Sequence, residues 1–357
     1  MANYFFARTK RRVRAAFAKA RFQGYLQKAH FLRLAGVCFL LACTLFSSSS
    51  PLVQSNEIED GKGGEQSQSL VAGAKENSFE AAEPEWPKLR DDAPEFPTVS
   101  AKAVLVKDSK TGKTLYERNS TERIAPASLV KIMTALVGLD KYSLEDELVV
   151  SESCLSGLEG KAQMNLQAGE RVKAGTLLYG LLLQSAADAA CVLARDPENM
   201  LDDYRGNEQL FVENMNQKAW ELGLRNTRFQ NVIGVDEEEQ YSTAADLLHL
   251  AQVAMENPIF RKIVGTKEIN LHNAANPPTQ WHYVQNTNEL LVPELEVTGV
   301  KTGTTTNAGE CLLVSWLWKI REIYAVLLGS EKDQRFAESR KIIDWVNSSF
   351  VANPSPR

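Results

Sequence analysis

The hydrophobic and polar positions divide this chain into three stretches of different character. From Leu34 to Phe46 nearly every residue is apolar, whereas residues 47–98 hold few apolar positions and carry Ser47-Ser-Ser-Ser50, Gly61-Lys-Gly-Gly64 and four prolines from Pro84 to Pro97. A segment of that second composition cannot bury a core and reads as a disordered tether. The pattern becomes periodic over residues 99–351, which is ample length for one folded domain with a substantial core, and a short tail remains at 352–357.

Within the periodic stretch, residues 102–107 and 113–118 alternate as strands around a turn at Ser109-Lys-Thr-Gly112, a hairpin signature. The run from Ser128 to Leu139 has helical apolar spacing with no proline and no glycine before Gly138, so it predicts a buried helix. Further helices are expected near 175–195, 207–222, 243–256 and 333–348, with Thr243-Ala-Ala-Asp246 as an N-terminal cap. The runs Cys311–Trp318 and Ile323–Leu328, joined by Lys319-Ile-Arg-Glu322, have strand length and composition. With the segment leading into Lys301 they predict successive antiparallel strands. No internal repeat is present.

Charge changes the picture at the N-terminus. Nine basic and no acidic residues precede or enter the apolar run, whose thirteen residues fit the core of a signal peptide better than a span of about 20. Basic residues ahead of such a segment hold that end in the cytoplasm, so the chain beyond it is expected to be exported. The basic region is long for a signal peptide, which leaves retention as a single N-terminal anchor open. Leu40-Leu-Ala-Cys43 resembles a lipoprotein box only loosely. Setting residues 1–46 aside leaves 31 basic against 45 acidic residues, a charge of −14 that argues against nucleic acid as a partner. Cys38 and Cys43 lie in the apolar run; Cys154, Cys191 and Cys311 remain, an odd number without C-x-x-C spacing. Buried free thiols are expected, with neither a disulfide framework nor a metal site.

Three short motifs carry the chemistry: Ser128-Leu-Val-Lys131, Ser185-Ala-Ala187 and Lys301-Thr302-Gly303. At i and i+3 on a helix, Ser128 and Lys131 share one face, with the hydroxyl near the positive end of the helix dipole. A serine hydroxyl needs a base, and a lysine serves only if burial and neighbouring positive charge keep its amine neutral. Lys131 and Lys301 are candidates for such a mutually depressing pair. None of the four histidines falls in or beside a motif, so a Ser-His-Asp triad is disfavoured. Taken singly, Ser128 also reads as a helix cap and Gly303 as an ordinary strand end; the order and context of all three motifs favour a site. In that site Lys301 offers charge, Thr302 a hydroxyl, and Gly303 room for a substrate backbone, with the N–H groups of Ser128 and Thr304 as oxyanion donors.

These motifs, in this order, resemble those of the D-alanyl-D-alanine carboxypeptidases, the low-molecular-mass penicillin-binding proteins. Further likeness lies in Val104–Tyr116, Ala125–Thr134, Gly223–Phe229, Gln240–Ala244 and Lys301–Gly309, so the resemblance spans roughly Ala101 to Val351. It implies an α/β (α+β) fold like that of β-lactamases and penicillin-binding proteins: an antiparallel sheet flanked by helices plus an all-helical lobe, with the site between them. It also implies that Ser128 is the acylated nucleophile, Lys131 its base, Ser185 a proton relay, and Lys301, Thr302 and Gly303 the substrate-side wall. Arg335 matches an arginine that helps hold the substrate's terminal carboxylate, although a surface helix charge explains it equally well. The implied activity is serine-type trimming of the terminal D-Ala from peptidoglycan stem peptides, with β-lactams as inhibitors and no cofactor. The short tail implies that the C-terminal β-domain and amphipathic anchor of many relatives are lacking.

One departure stands out. The family's middle motif is S-x-N, and here Ala187 stands where the asparagine amide would donate to the substrate carbonyl. Losing such a donor costs about 10² to 10³ in rate. A slow enzyme, a repositioned donor and a non-catalytic binder of wall peptides are all compatible with it. A β-lactamase is disfavoured, because no E-x-x-L-N occurs downstream of Ser185.

Overall fold

The computed structural model describes residues 87–195, 204–275 and 277–351. The basic and apolar segment 1–46, the tether as far as residue 86 and the tail 352–357 lie outside the described residues. In chain order the principal elements are β1 (Ala103–Asp108), β2 (Thr114–Arg118), α1 (Val130–Lys141), α2 (Ala174–Tyr179), α3 (Ala187–Ala194), α4 (Tyr204–Glu221), α5 (Ala244–Glu256) and α6 (Pro258–Val264). The chain continues through β3 (Glu268–His272), β4 (Trp281–Gln285), β5 (Val297–Thr305), β6 (Gly309–Trp318), β7 (Arg321–Ser330) and α7 (Arg335–Ser349). No helix among the described residues is long and apolar enough to cross a membrane.

Five strands form one antiparallel sheet in the order β2-β1-β7-β6-β5. The near-continuous apolar runs of β6 and β7 result from burial on both faces. In β7, Tyr324, Val326 and Leu328 enter one core while Ile323, Ala325 and Leu327 enter the other, as the two-residue period of a strand requires. The second core is closed by α7, through Ile342, Ile343 and Val346. The first is shared with α1, α5 and α6 and extends into the helical lobe. Helix α1 is buried from Val130 through Gly138, so it is the hydrophobic axis around which the lobe packs, and this fixes the residues at its N-terminus.

Three differences from the sequence expectations have clear physical causes. First, residues 87–98, read as the end of the tether, pack onto the domain. Lys88–Leu89 pairs with Phe350–Val351, Phe96 stacks on Tyr116, and Trp345 Nε1 donates to Pro94 O at 2.9 Å. A single aromatic in a proline-rich stretch carries no periodicity, yet Phe96 packs against Tyr116 and Trp345.

Second, the single helix expected over 175–195 is two helices. After α2 a π-helical turn spans Gly180–Gln184, Ser185 takes a left-handed conformation at φ 62°, and α3 begins at Ala187. The apolar run Leu181-Leu182-Leu183 hides the break, because Gly180 alone, with no proline beside it, is a weak signal in a helical pattern. Third, the expectation of free thiols fails for Cys154 and Cys191, which form a disulfide with a Cα–Cα distance of 5.4 Å. The partners lie 37 residues apart and meet only because the intervening loop folds back onto α3. Cys311 is a buried free thiol.

Candidate active site

A cleft of about 270 Å³ opens where the N-terminus of α1, the break before α3 and the edge strand β5 converge. Ser128, Lys131, Ser185, Ala187, Thr302, Gly303, Thr304 and Arg335 all line it. Lys301 does not; its side chain is buried behind the wall, and its Nζ donates to Thr302 O at 2.9 Å. Three motifs separated by more than fifty residues each are therefore brought to one place. Of the histidines, His249, His272 and His282 are described, and none lines the cleft.

Ser128 sits in a 3-10 turn, Ala127–Leu129, that leads into α1, one step earlier than the helical first turn expected for it. The residue before it, Ala127, has φ 49°, a conformation that a non-glycine residue holds only when its surroundings enforce it. Two close approaches supply that enforcement. A Cβ on Gly303 would meet Ala127 Cβ and Ser128 N at 3.0 Å each, and a Cβ on Gly234 would meet Ala127 O at 2.0 Å. Both glycines are thus required by packing against the turn that presents the serine.

Lys131 Nζ lies 3.0 Å from Ser128 Oγ and donates to Ile233 O at 2.6 Å. Burial pushes its pKa down to about 7, so the neutral amine is well populated near neutrality. Lys301 is lowered well below the ordinary lysine value, chiefly by burial and further by the positive charges of Lys131 and Arg335. A poised base beside a serine on one helix face is what proton abstraction from the hydroxyl requires.

The segment Asn231-Val-Ile-Gly234 was not recognised in the sequence as part of the site. Its Ile233 carbonyl orients Lys131, and Asn231 Oδ1 accepts from Gly234 N at 2.7 Å and holds the turn. Only the glycine offered a signal, and a lone glycine is a weak one. Ser185 Oγ is buried and has no hydrogen-bond partner among the described residues, so it is free to meet a substrate or a relayed proton. The left-handed break is what turns this hydroxyl inward.

Ala187 is almost fully buried at the start of α3, where its N–H donates to Ala162 O at 2.7 Å. Asp188 does not replace the missing amide. Its carboxylate accepts from Met164 N at 3.0 Å, Leu166 N at 3.2 Å and Ala189 N at 2.9 Å, pinning the rim loop to α3. The same loop is held by the Cys154–Cys191 disulfide and by His282 Nε2 at 2.7 Å from Glu170 Oε1. Gln184 also lines the cleft, but its Nε2 donates to Gln163 O at 2.8 Å.

On the opposite wall, Arg335 begins α7 and its Nη1 donates to Gly303 O at 3.1 Å and to Thr304 Oγ1. Its Nε is buried without a hydrogen-bond partner among the described residues. The guanidinium therefore faces the cleft wall and is not a freely solvated surface charge. Thr302 Oγ1 lies 2.6 Å from Thr287 Oγ1. No carboxylate is among the described residues lining the cleft; Lys161 and Arg335 line it, and Glu310 Oε2 lies 4.0 Å from Arg335 Nε behind the guanidinium.

The comparisons with known proteins agree with this geometry. Residues 90–332 match the family model described as D-alanyl-D-alanine carboxypeptidase. The chain is 35% identical over 260 residues to D-alanyl-D-alanine carboxypeptidase DacF of Bacillus subtilis, covering 71% of this chain and 64% of that protein. It is also 35% identical over 263 residues to DacC of Escherichia coli, covering 70% of this chain and 62% of that one. The matches thus span less than two thirds of the length of these relatives. Among solved structures, the Streptomyces K15 DD-transpeptidase aligns with a TM-score of 0.66 at 30% identity, covering 71% of this chain and 98% of the other. With the motifs, the cleft and these likenesses in agreement, the chain belongs to the D-alanyl-D-alanine carboxypeptidase family of serine peptidases.

Proposed function

We propose that this protein is a serine-type D-alanyl-D-alanine carboxypeptidase that trims peptidoglycan stem peptides through an acyl-enzyme and is acylated by β-lactams. The observation that carries the reading is the 3.0 Å approach of Lys131 Nζ to Ser128 Oγ within a cation-lined cleft. In the proposed reaction the neutral Lys131 amine takes the hydroxyl proton as Ser128 Oγ attacks the carbonyl carbon of the penultimate D-Ala. The backbone N–H groups of Ser128 and Thr304 hold the oxyanion. The C–N bond then breaks, and the departing D-Ala amine receives the proton from Lys131 through Ser185. Water cleaves the resulting ester with Lys131 again as base.

Thr302 and Gly303 form the wall along which the peptide lies, Lys301 braces it from behind through Thr302 O, and the Arg335 fork receives the terminal carboxylate. This sequence of steps needs no cofactor. Export to the outer side of the cytoplasmic membrane, by the basic and apolar segment 1–46 with or without retention as an anchor, belongs to the same proposal. The tether of that proposal runs from residue 47 to about residue 86 and the catalytic domain to residue 351.

Ala187 favours a second reading, a slow or binding-only relative. Release of D-Ala from a pentapeptide ending in D-Ala-D-Ala separates the two. The carboxypeptidase reading expects release by the wild type and none by Ser128→Ala; acylation by a β-lactam without any peptide turnover would favour the binder.

A further inference from the structure

The hairpin β3–β4 has two faces of opposite character. Ile269, Leu271 and Val284 pack into the core of the helical lobe, and His282 is buried on the same side, as strand alternation requires. The other face carries Trp281 and Tyr283, 66% and 55% exposed, beside their cross-strand partners His272 and Asn270 and the neighbouring pair Glu268 and Gln285. Two large rings side by side in water call for an explanation, since a buried ring of this kind removes about 150 to 250 Å² from solvent.

Both rings are held in place. Tyr283 Oη donates to Glu268 Oε2 at 2.6 Å, and the Trp281 indole meets the His272 imidazole edge-on with ring centroids 5.3 Å apart. His272 Nδ1 in turn lies 2.7 Å from Asn273 O, which fixes the ring against which the indole rests. Rings ordered in this way lose little freedom when a ligand arrives. The face also joins the catalytic cleft. Tyr283 and Gln285 line a groove of about 510 Å³ that shares Gln184, Thr287 and Arg335 with the cleft.

We infer that this face is a binding platform for a saccharide strand of the wall, a β-1,4-linked chain of N-acetylated hexosamines. A pyranose ring has an apolar face of C–H groups and a rim of hydroxyl and acetamido groups. Trp281 and Tyr283, about 7 Å apart along β4, offer two ring faces for the apolar side. The side-chain amides of Asn270 and Gln285 offer donors and acceptors for the acetamido groups on the rim. No lysine or arginine stands at the six positions of the face, and its one carboxylate, Glu268, is engaged by Tyr283. That balance suits an uncharged chain better than an anionic lipid surface. The inference rests on the proposed function in taking the chain to be the wall's. Because the platform lies on the Arg335 side, the strand it holds is a neighbour of the one whose peptide is trimmed, and holding it keeps the cleft among further stems.

The test titrates the full chain with chitotetraose, the β-1,4-linked tetrasaccharide of N-acetylglucosamine, by calorimetry, with maltotetraose as the control. Trp281 lines neither the cleft nor the groove, so Trp281→Ala and Trp281→Phe should be acylated by a β-lactam at the wild-type rate, which also verifies their folding. The expected result is saturable binding of chitotetraose by wild type, a loss of about tenfold or more in affinity in Trp281→Ala, and recovery of most of it in Trp281→Phe. Retention of the protein on insoluble peptidoglycan should fall in Trp281→Ala. No saturable binding by wild type, equal binding of maltotetraose, or unchanged affinity in Trp281→Ala would overturn the inference. Chitotetraose binding without any Trp281-dependent retention on peptidoglycan would overturn the assignment to the wall strand. Self-association abolished by Trp281→Ala, with no saccharide bound, would mean that a second copy covers the face instead. Failure of β-lactam acylation in the wild type, with saccharide binding intact, would count against the proposed function alone.

Discussion

Gly303 lies so close to Ser128 that a Cβ on the glycine would come within 3.0 Å of the serine's backbone nitrogen. The edge strand and the nucleophile's turn are therefore in backbone contact, and neither side has a flexible side-chain tip that could yield. Gly303→Ala is expected to push β5 and the turn apart and to slow β-lactam acylation by about 10- to 100-fold, since misplacement on the order of 1 Å costs about that much. Stopped-flow measurement of the acylation rate checks this; a variant within twofold of wild type would show that the contact is not needed.

Lys131 gives the site a defined pH dependence. The base is active when neutral, so acylation should fall about tenfold per unit below pH 7 and level off above it, as its pKa of about 7 requires. Stability tracks the same titration. Because the folded pKa lies below the ordinary lysine value, the unfolded chain binds more protons between about pH 7 and 10.5, and stability is lost as pH falls through that window. Lys131→Met should abolish acylation while raising the thermal midpoint near neutrality and reducing its slope with pH. Lys301, shifted in the same direction, retains part of that slope. A variant no more stable than wild type at pH 7 would contradict this account of the buried amine.

Ala187 borders open space in the cleft, so an asparagine there has somewhere to go. Ala187→Asn is expected to raise the acylation rate, by up to about 10²-fold, with an unchanged midpoint. Slower acylation with a midpoint lowered by overpacking, a cost of about 1 to 3 kcal/mol, would mean that another group already occupies the asparagine's place.

The Cys154–Cys191 bridge closes a loop whose ends are 37 residues apart and holds the rim of the cleft against α3. Loop closure of that length is worth about 4 kcal/mol. Replacing both cysteines with serine should lower the thermal midpoint and slow acylation, because Ala162, which accepts from Ala187 N, lies on the same loop. Unchanged stability in the double variant would show that Asp188 and the His282–Glu170 contact suffice to hold the rim.

The features legible in the sequence were those that local periodicity or local chemistry expresses. The α1 helix, the hairpin β1–β2 and the runs forming β6 and β7 announce themselves through apolar spacing, and Ser128, Lys131 and Lys301 through motif order. The features that escaped depend on tertiary placement. The break at Ser185 follows the apolar run Leu181-Leu182-Leu183, and the lone Gly180 ahead of that run is too weak a signal to outweigh the helical pattern. Ile233 acts through its backbone carbonyl, which any residue type possesses, and Cys154 reaches Cys191 only once the loop has folded. Phe96 and Trp345 looked like isolated aromatics because their partners are distant in sequence.

The central claim is that Ser128, activated by Lys131, is the acylated nucleophile. Intact-mass analysis of the full chain after exposure to a penicillin, combined with peptide mapping, tests it most directly. The account predicts one stoichiometric adduct, located on Ser128, absent from Ser128→Ala and slow to leave because no carboxylate lines the cleft among the described residues to activate a deacylating water. No mass shift in the wild type, or an identical shift in Ser128→Ala, would contradict it.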